Sequence, residues 1–214
     1  MARSDSDFVA AGVALVHARG FEALTSRNLG EAMGVHSTAI YRHFPQWDLL
    51  VLAVTDALFG EVIARDGPQV AAVKEPRARI LAMCALVRDE VRRQPDLADN
   101  LLQIAAAPIS VATPNLDSIV RIVVTSLQQM GLTGASLLTA YQALEDLVVG
   151  SLASSYAGHP RHLDNRLGRR RLVGIAEVTE QVQSTADVDR INDQAFWLAA
   201  NAVLDACERG LDGD

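Results

Sequence analysis

Residues 25–44 read TSRNLGEAMGVHSTAIYRHF: a short helix, a glycine-centred turn and a second short helix. Thr25 is a natural cap for a helix reaching Met33, with Leu29, Ala32 and Met33 inward. Gly34 supplies the turn and Val35 plugs the core. A third helix then covers Ser37 to Phe44, and Pro45 stops it. With Ala32, Val35 and Ile40 turned inward, Ser37, Thr38, Arg42 and His43 are left on or near the outward face. Such a helix fits a DNA major groove with its N-terminal residues at base edges. The small hydroxyls of Ser37 and Thr38 allow close approach, Arg42 can reach guanine or phosphate, and Tyr41 and His43 carry polar ends at phosphate height.

The flanking sequence continues the helical pattern. Upstream, Asp7 to Arg19 forms a helix that Ser4 or Ser6 can cap, with a stripe of Val9, Val13 and Val16; Gly20 ends it and Phe21 and Leu24 fold back onto it. Downstream, a longer helix runs from Trp47 to Ala64 and stops at the breaker Asp66-Gly67-Pro68. Further helices follow from Pro76 to Arg93, from Pro95 to a stop at Pro108, from Thr113-Pro114 to Met130, from Thr133 to Tyr156, over Leu172 to Val182, and from Val188 to Arg209. No stretch sustains the period-2 alternation of a strand. The chain is all-α: an N-terminal three-helix helix-turn-helix module over residues 1–46 and a helical ligand-binding and dimerisation domain over residues 47–214.

Composition narrows the classes. Half of the 214 residues are hydrophobic and 21% are charged, enough apolar side chain to offset the ordering entropy of a packed core. The formal charge of −7 excludes a generally basic, nucleic-acid-coating protein, so DNA contact has to come from a local patch. Up to Leu50 the four arginines Arg3, Arg19, Arg27 and Arg42 face five carboxylates, so few phosphate charges are neutralised and binding is expected to be modest and salt-dependent. Cys84 and Cys207 sit in apolar helical patterns, which reads as reduced thiols in a cytoplasmic protein. Ile122 to Leu144 carries no charge, but the stop at Met130-Gly131 and the cap at Thr133 split it into two buried helices, not a membrane span.

A helix ending in Gly20-Phe21, then Thr25, then Gly34-Val35, then Ile40-Tyr41 with His43-Phe44 closely resembles the N-terminal module of the TetR family of transcriptional regulators. The match covers Val9 to Leu50 without gaps between Gly20 and Phe44. The resemblance implies phosphate contacts from Thr25 and Ser26, a base or phosphate contact from Arg27, base reading by Ser37 and Thr38, and phosphate grips by Tyr41 and His43. Two positions depart from the family pattern. His36 replaces the usual small hydroxyl cap, and Trp47 stands where a lysine is usual; its indole N–H donates but brings no charge.

The resemblance also implies a variable C-terminal domain with a small-molecule pocket and a two-fold dimer. Met83, Cys84, Val87, Leu102, Val120, Val124, Tyr141 and Glu145 are the candidate lining, and the low aromatic content argues for an apolar, aliphatic effector. Leu137, Leu144, Val148 and Leu152 on one helix, with Ile191, Ala195, Leu198, Ala199 and Ala202 on the last, are the candidate dimer seam. The expected function is a ligand-responsive regulator, a repressor, binding a pseudo-palindromic double-stranded DNA operator as a homodimer. The alternative is a helical dimeric ligand-binding or scaffold protein with a vestigial helix-turn-helix, supported by His36, Trp47 and the acidic module. No Ser-His-Asp order, phosphate-cradling loop or paired-acid motif supports an enzyme, and no cofactor is expected. His159, His162 and Asp164 have a metal-like spacing that Pro160 breaks, so a solvated loop is the expectation. The basic run Arg161, Arg166, Arg169, Arg170 and Arg171 reads as a solvated face.

Overall fold

The computed structural model describes residues 3–105, 112–156 and 185–210, apart from the side chains of residues 99, 102–105, 153–156 and 185–189. Among the described residues there are nine α-helices, one 3-10 turn and no strand. The expected helix over Leu172 to Val182, the paired histidines His159 and His162 with Asp164, and the arginine run all lie outside these residues.

Helix α1 (Asp5–Arg19) opens on a capping box. The Ser4 hydroxyl accepts from the Asp7 N–H at 3.3 Å, and the Asp7 carboxylate accepts from the Ser4 N–H at 2.8 Å. The Ser4 backbone N–H, helped by its hydroxyl, holds the Asp7 carboxyl below the usual carboxylate range. Its buried line is Phe8, Gly12 and Val16, not the Val9-Val13-Val16 stripe; Val9 and Val13 are only half-buried beside it. Gly12 marks a close crossing, because a Cβ there would stand 2.6 Å from Cγ2 of Val54.

After the 3-10 turn Phe21–Ala23 come α2 (Ser26–Met33), α3 (Ser37–His43) and α4 (Trp47–Ala72). The last is longer than expected: it passes Gly67 and Pro68 and ends at Ala72, not Ala64. Proline removes the donor for the carbonyl four residues earlier, and here Ala64 and Pro68 are both exposed, so water can serve that carbonyl. Val62, Gly67 and Val70 stay buried along the same helix. Then follow α5 (Pro76–Arg93), α6 (Asp96–Ala105), α7 (Pro114–Gln129), α8 (Gly134–Tyr156) and α9 (Thr185–Arg209). Glu75 caps α5 by accepting from the N–H groups of Arg77 and Ala78, with Pro76 at the first helical position. The apolar stretch from Ile122 does divide at Met130–Thr133, where Gly131 takes φ 95°, and no described helix is long and apolar enough to cross a membrane.

The chain forms two compact units. The first gathers the residues up to Pro68 with Asn100–Val120; the second gathers Gln69–Asp99 and the chain from Arg121 onward. In the first, α4 is tied to the start of α7 by one buried acid. Asp56 is 4% exposed and accepts from the N–H groups of Asn115 (3.1 Å) and Leu116 (3.0 Å) and from Asn115 Nδ2 at 2.9 Å. A carboxylate in that place satisfies N–H groups that the first turn of a helix cannot pair internally. Gly60, one turn further along α4, makes room: a Cβ there would lie 2.8 Å from the Asn115 side chain.

In the second unit, Ile80, Met83, Cys84, Leu86, Val87 and Val91 of α5 are buried, and α8 packs on both α5 and α9. Arg77 joins the start of α5 to the end of α9 through Asp205 at 2.6 Å, Glu208 at 3.2 Å and Asn201 Oδ1 at 2.8 Å. Arg79 donates to the carbonyls of Val73 (2.8 Å) and Lys74 (2.9 Å), closing the turn between α4 and α5.

Asp56→Ala is expected to lower the unfolding free energy by about 1–3 kcal/mol by stranding the buried donors at the start of α7. Asp56→Asn, which still accepts, should lose less. A urea-denaturation midpoint for each variant checks both; equal midpoints for wild type and Asp56→Ala would remove this acid from the fold's energetics.

Candidate functional site

The geometry of α2 and α3 rests on two glycines. Gly34 ends α2 in the left-handed region at φ 66°, its N–H returning to the carbonyls of Gly30 and Glu31, and the Val35 N–H also bonds the Gly30 carbonyl at 2.9 Å. Gly30 is buried, and a Cβ on it would stand 2.9 Å from the Val35 carbonyl oxygen and 3.4 Å from the Ser37 nitrogen. The turn therefore lies directly on the backbone of α2. Sequence inspection identified Gly34 but passed over Gly30; the signal was its place inside a helical pattern, where glycine is costly without a packing reason.

Two inward expectations hold and one does not. Ile40 is fully buried and Val35 half-buried, whereas Ala32 is exposed. Leu29, Gly30 and Met33 supply the buried face of α2, so Ala32 falls on its outer edge. Thr25 caps α2, its hydroxyl oxygen accepting from the Asn28 N–H at 3.1 Å, and Asn28 Nδ2 donates to the Ala23 carbonyl at 2.8 Å. His36 does cap α3: its Nδ1 faces the Thr38 N–H at 3.4 Å and the Thr38 hydroxyl at 2.9 Å. Imidazole thus occupies the place of the usual small hydroxyl, with a longer reach to the backbone.

Thr25, Arg27, His36, Thr38, Tyr41 and Arg42 are exposed, and Ser26, Ser37, His43 and Trp47 are half-buried. Arg27, Glu31, His36 and Ser37 border a shallow groove over Gly30 and Gly34, where α2 hands over to α3. Two of the candidates are held by acids. Arg27 Nε donates to Glu31 Oε1 at 2.9 Å, and His43 Nδ1 lies 2.7 Å from Asp5 Oδ1, with its ring 4.8 Å from that of Phe8. Arg42 forms no ion pair among the described residues. Arg3, which sequence inspection counted only as charge, donates from Nη2 to the Met33 carbonyl at 2.5 Å and so covers the end of α2.

The candidate pocket residues divide between the units. In the second, Met83, Cys84 and Val87 are buried on α5, Val124 of α7 is half-buried, and the Tyr141 hydroxyl donates to Glu145 Oε1 at 3.1 Å on α8. Burial pushes the Cys84 thiol up to about 11, against the opposing charge of Arg88, so it stays a neutral apolar group at pH 7. Val120 belongs to the first unit and is half-buried; the Leu102 side chain lies outside the described ones. Among the described residues no group of His, Cys, Asp and Glu can hold a metal ion.

The candidate seam separates into two faces. Leu144 and Leu152 are buried within the single chain, in the same unit as the buried Phe196, Ala200, Leu204 and Cys207 of α9, so they are core rather than open surface. Leu137, Val148 and Ala199 are half-buried, while Ile191, Ala195, Leu198 and Ala202 are exposed. Leu198 is 76% exposed, and Leu138 of α8, not among the expected residues, is 68% exposed.

With this geometry in view, the family description that matches residues 8–54 is bacterial regulatory proteins, tetR family. The N-terminal module belongs to the tetR family. No protein of curated function matches the chain in sequence. Solved structures share the fold over nearly the whole length. The Streptomyces coelicolor transcriptional regulator SCO7222, a TetR, is 22% identical, with 98% of each chain covered and a TM-score of 0.65. Apo ActR from the same organism is 18% identical over 98% of this chain and 99% of that one, with a TM-score of 0.67. BioQ with its natural double-stranded DNA operator is 18% identical over 97% and 99%, with a TM-score of 0.60. The chain therefore has the fold of a tetR-family transcriptional regulator, with the helix-turn-helix of that family at its N-terminus.

Gly30→Ala is expected to destabilise the tetR-family module by roughly 1–3 kcal/mol, because the new methyl meets a backbone carbonyl that cannot swing aside. Thermal denaturation of the full chain followed by circular dichroism checks it; an unchanged midpoint would mean that α2 and the turn can separate at little cost.

Proposed function

We propose that the chain is a ligand-responsive transcriptional regulator, a repressor, that binds a pseudo-palindromic double-stranded DNA operator as a homodimer. The observation that carries this reading is the open outward face of α3, with Thr38, Tyr41 and Arg42 exposed while Ile40 and Phe44 are buried behind it. A helix presented in this way reads base edges from its N-terminal end and phosphates from its flanks. Residues 1–46 are the DNA-reading part, with Thr25, Ser26, Arg27, His36, Ser37, Thr38, Tyr41, Arg42, His43 and Trp47 as its contacts. The remainder, residues 47–214, carries the effector site and the dimer face. That BioQ has been seen with its own operator supports the assignment by likeness of fold.

Two-fold reading needs two copies of α3 roughly 34–36 Å apart, which a single chain cannot provide. The exposed Leu198, Ile191, Ala195 and Ala202 of α9, with Leu138 of α8, are apolar groups suited to a second copy of the same face. A small molecule held near Met83, Cys84, Val87, Tyr141 and Glu145 biases α4, the helix that follows the module in the chain. Effector and operator then alter each other's affinity by the same factor.

A second reading is favoured by the Arg27–Glu31 and His43–Asp5 pairs, which occupy two of the proposed contacts with the chain's own acids. In that reading the module is vestigial and the protein is a helical dimeric binding module. Selection of bound fragments from random duplex DNA, at graded salt, separates the two. A recovered palindrome is expected under the regulator reading, and sequence-blind binding or none would favour the vestigial module. Arg42→Ala should weaken the selected operator by about 1–3 kcal/mol with the dimer intact. Leu198→Glu should shift the chain towards monomer in sedimentation and weaken operator binding with it. A monomeric wild type would overturn the two-fold model.

A further inference from the structure

Arg88 on α5 is buried to 2% exposure, and among the described residues its guanidinium is under-used. Nη2 donates to Asp193 Oδ1 of α9 at 2.7 Å, but Nε and Nη1 are buried with no hydrogen-bond partner among the described residues. The face of the group lies on an aromatic ring, with Cζ 3.9 Å from the Phe196 centroid and 6.0 Å from that of Trp197. Arg92 Nη2 reaches the same Asp193 oxygen, so two guanidinium groups share one carboxylate; the second acid near them, Asp89, serves Arg92 alone at 3.3 Å. Cys84 and Val91, one turn to either side on the same face of α5, are buried, as is Phe196.

We propose that Arg88 is the anion-recognition group of the second unit, taking the carboxylate of a small organic monoanion whose body is apolar. A planar guanidinium with free donors matches a planar carboxylate, and that acceptor would satisfy the donors Asp193 leaves idle. The apolar residues beside it suit an aliphatic or aromatic body better than a polar one. A multiply charged ligand such as a free phosphate is disfavoured, because the guanidinium groups of Arg88 and Arg92 already face two carboxylates, Asp193 and Asp89. The inference rests on the effector-binding reading given above and sharpens it, from an apolar effector to an apolar acid.

Calorimetric titration of the full-length protein tests this without DNA. The probes are monocarboxylates from acetate to octanoate, with benzoate, each beside its matching alcohol. At least one carboxylate is expected to bind once per chain and at least about tenfold more tightly than its alcohol, the scale of a charge-assisted hydrogen bond. Arg88→Met should abolish that preference and Arg88→Lys keep part of it. Asp193→Asn should tighten carboxylate binding by removing the negative charge that competes for the guanidinium, a direction that a merely damaged fold cannot give. Alcohols binding as well as acids, no carboxylate binding at all, or weaker binding in Asp193→Asn would overturn the proposal. A carboxylate bound through Arg88 that leaves operator affinity unchanged would keep the site and remove only its regulatory role.

Discussion

The carboxylate of Asp56, set against the first turn of α7, is the interaction on which the first unit depends. It lies 59 residues in sequence from Asn115, and the two elements it joins would otherwise bring a buried acid and unpaired N–H groups into the core. Either one alone is costly: about 1–3 kcal/mol for each unsatisfied buried polar group, and more for a charge. Together they offset each other, because helix-end N–H donors have no partner in their own helix and a carboxylate has only acceptors to offer. Gly60 and the Asn115 side chain complete the arrangement by removing bulk where the two meet. Helix α4 is thereby held at Asp56, while Val54, one turn away from Leu50 and Leu58, presses on Gly12 of α1 and so positions the three-helix module in the same unit.

Within the module, glycine does what side chains cannot. Gly34 takes a left-handed conformation and Gly30 lets the turn lie against α2 at van der Waals distance from a carbonyl. The close turn buries Ile40 and leaves Tyr41 and Arg42 outside. Two of the candidate contacts also meet acids. His43 sits between Phe8 and Asp5, and Arg27 pairs with Glu31, so the arginine charge available to a polyanion is smaller than the residue list suggests. Arg42 is exposed and forms no ion pair among the described residues.

Much of this was legible in the sequence because caps and breakers are local. Ser4, Thr25, Gly20, Gly34 and Pro76 each mark the helix end that the structure has. Periodicity was less decisive where two apolar stripes run side by side. Val9 and Phe8, or Leu137 and Leu138, differ by one position and about 100° of helix rotation, and composition alone does not say which faces the core. The last helix shows the same ambiguity: Phe196, Ala200 and Leu204 are buried while Ile191, Ala195, Leu198 and Ala202 point away. Pro68 misled for a different reason. A proline ends a helix only if the orphaned carbonyl is expensive, and on an exposed face it is not.

Long-range polar pairs were invisible, and they are where the chain departs from a generic helical bundle. Nothing near Asp56 announces Asn115, and nothing near Arg88 announces Asp193. Yet a buried guanidinium is a strong statement about function, since replacing a buried ion pair with apolar residues of similar volume is often neutral or stabilising by about 1–4 kcal/mol. The Phe196 ring and the Asp193 oxygen compensate part of the cost of burying Arg88, but they leave two nitrogens without a partner among the described residues. An aliphatic side chain at that position would strand no donor. Stability therefore gives no reason for an arginine there, and recognition of an acceptor from outside the chain does.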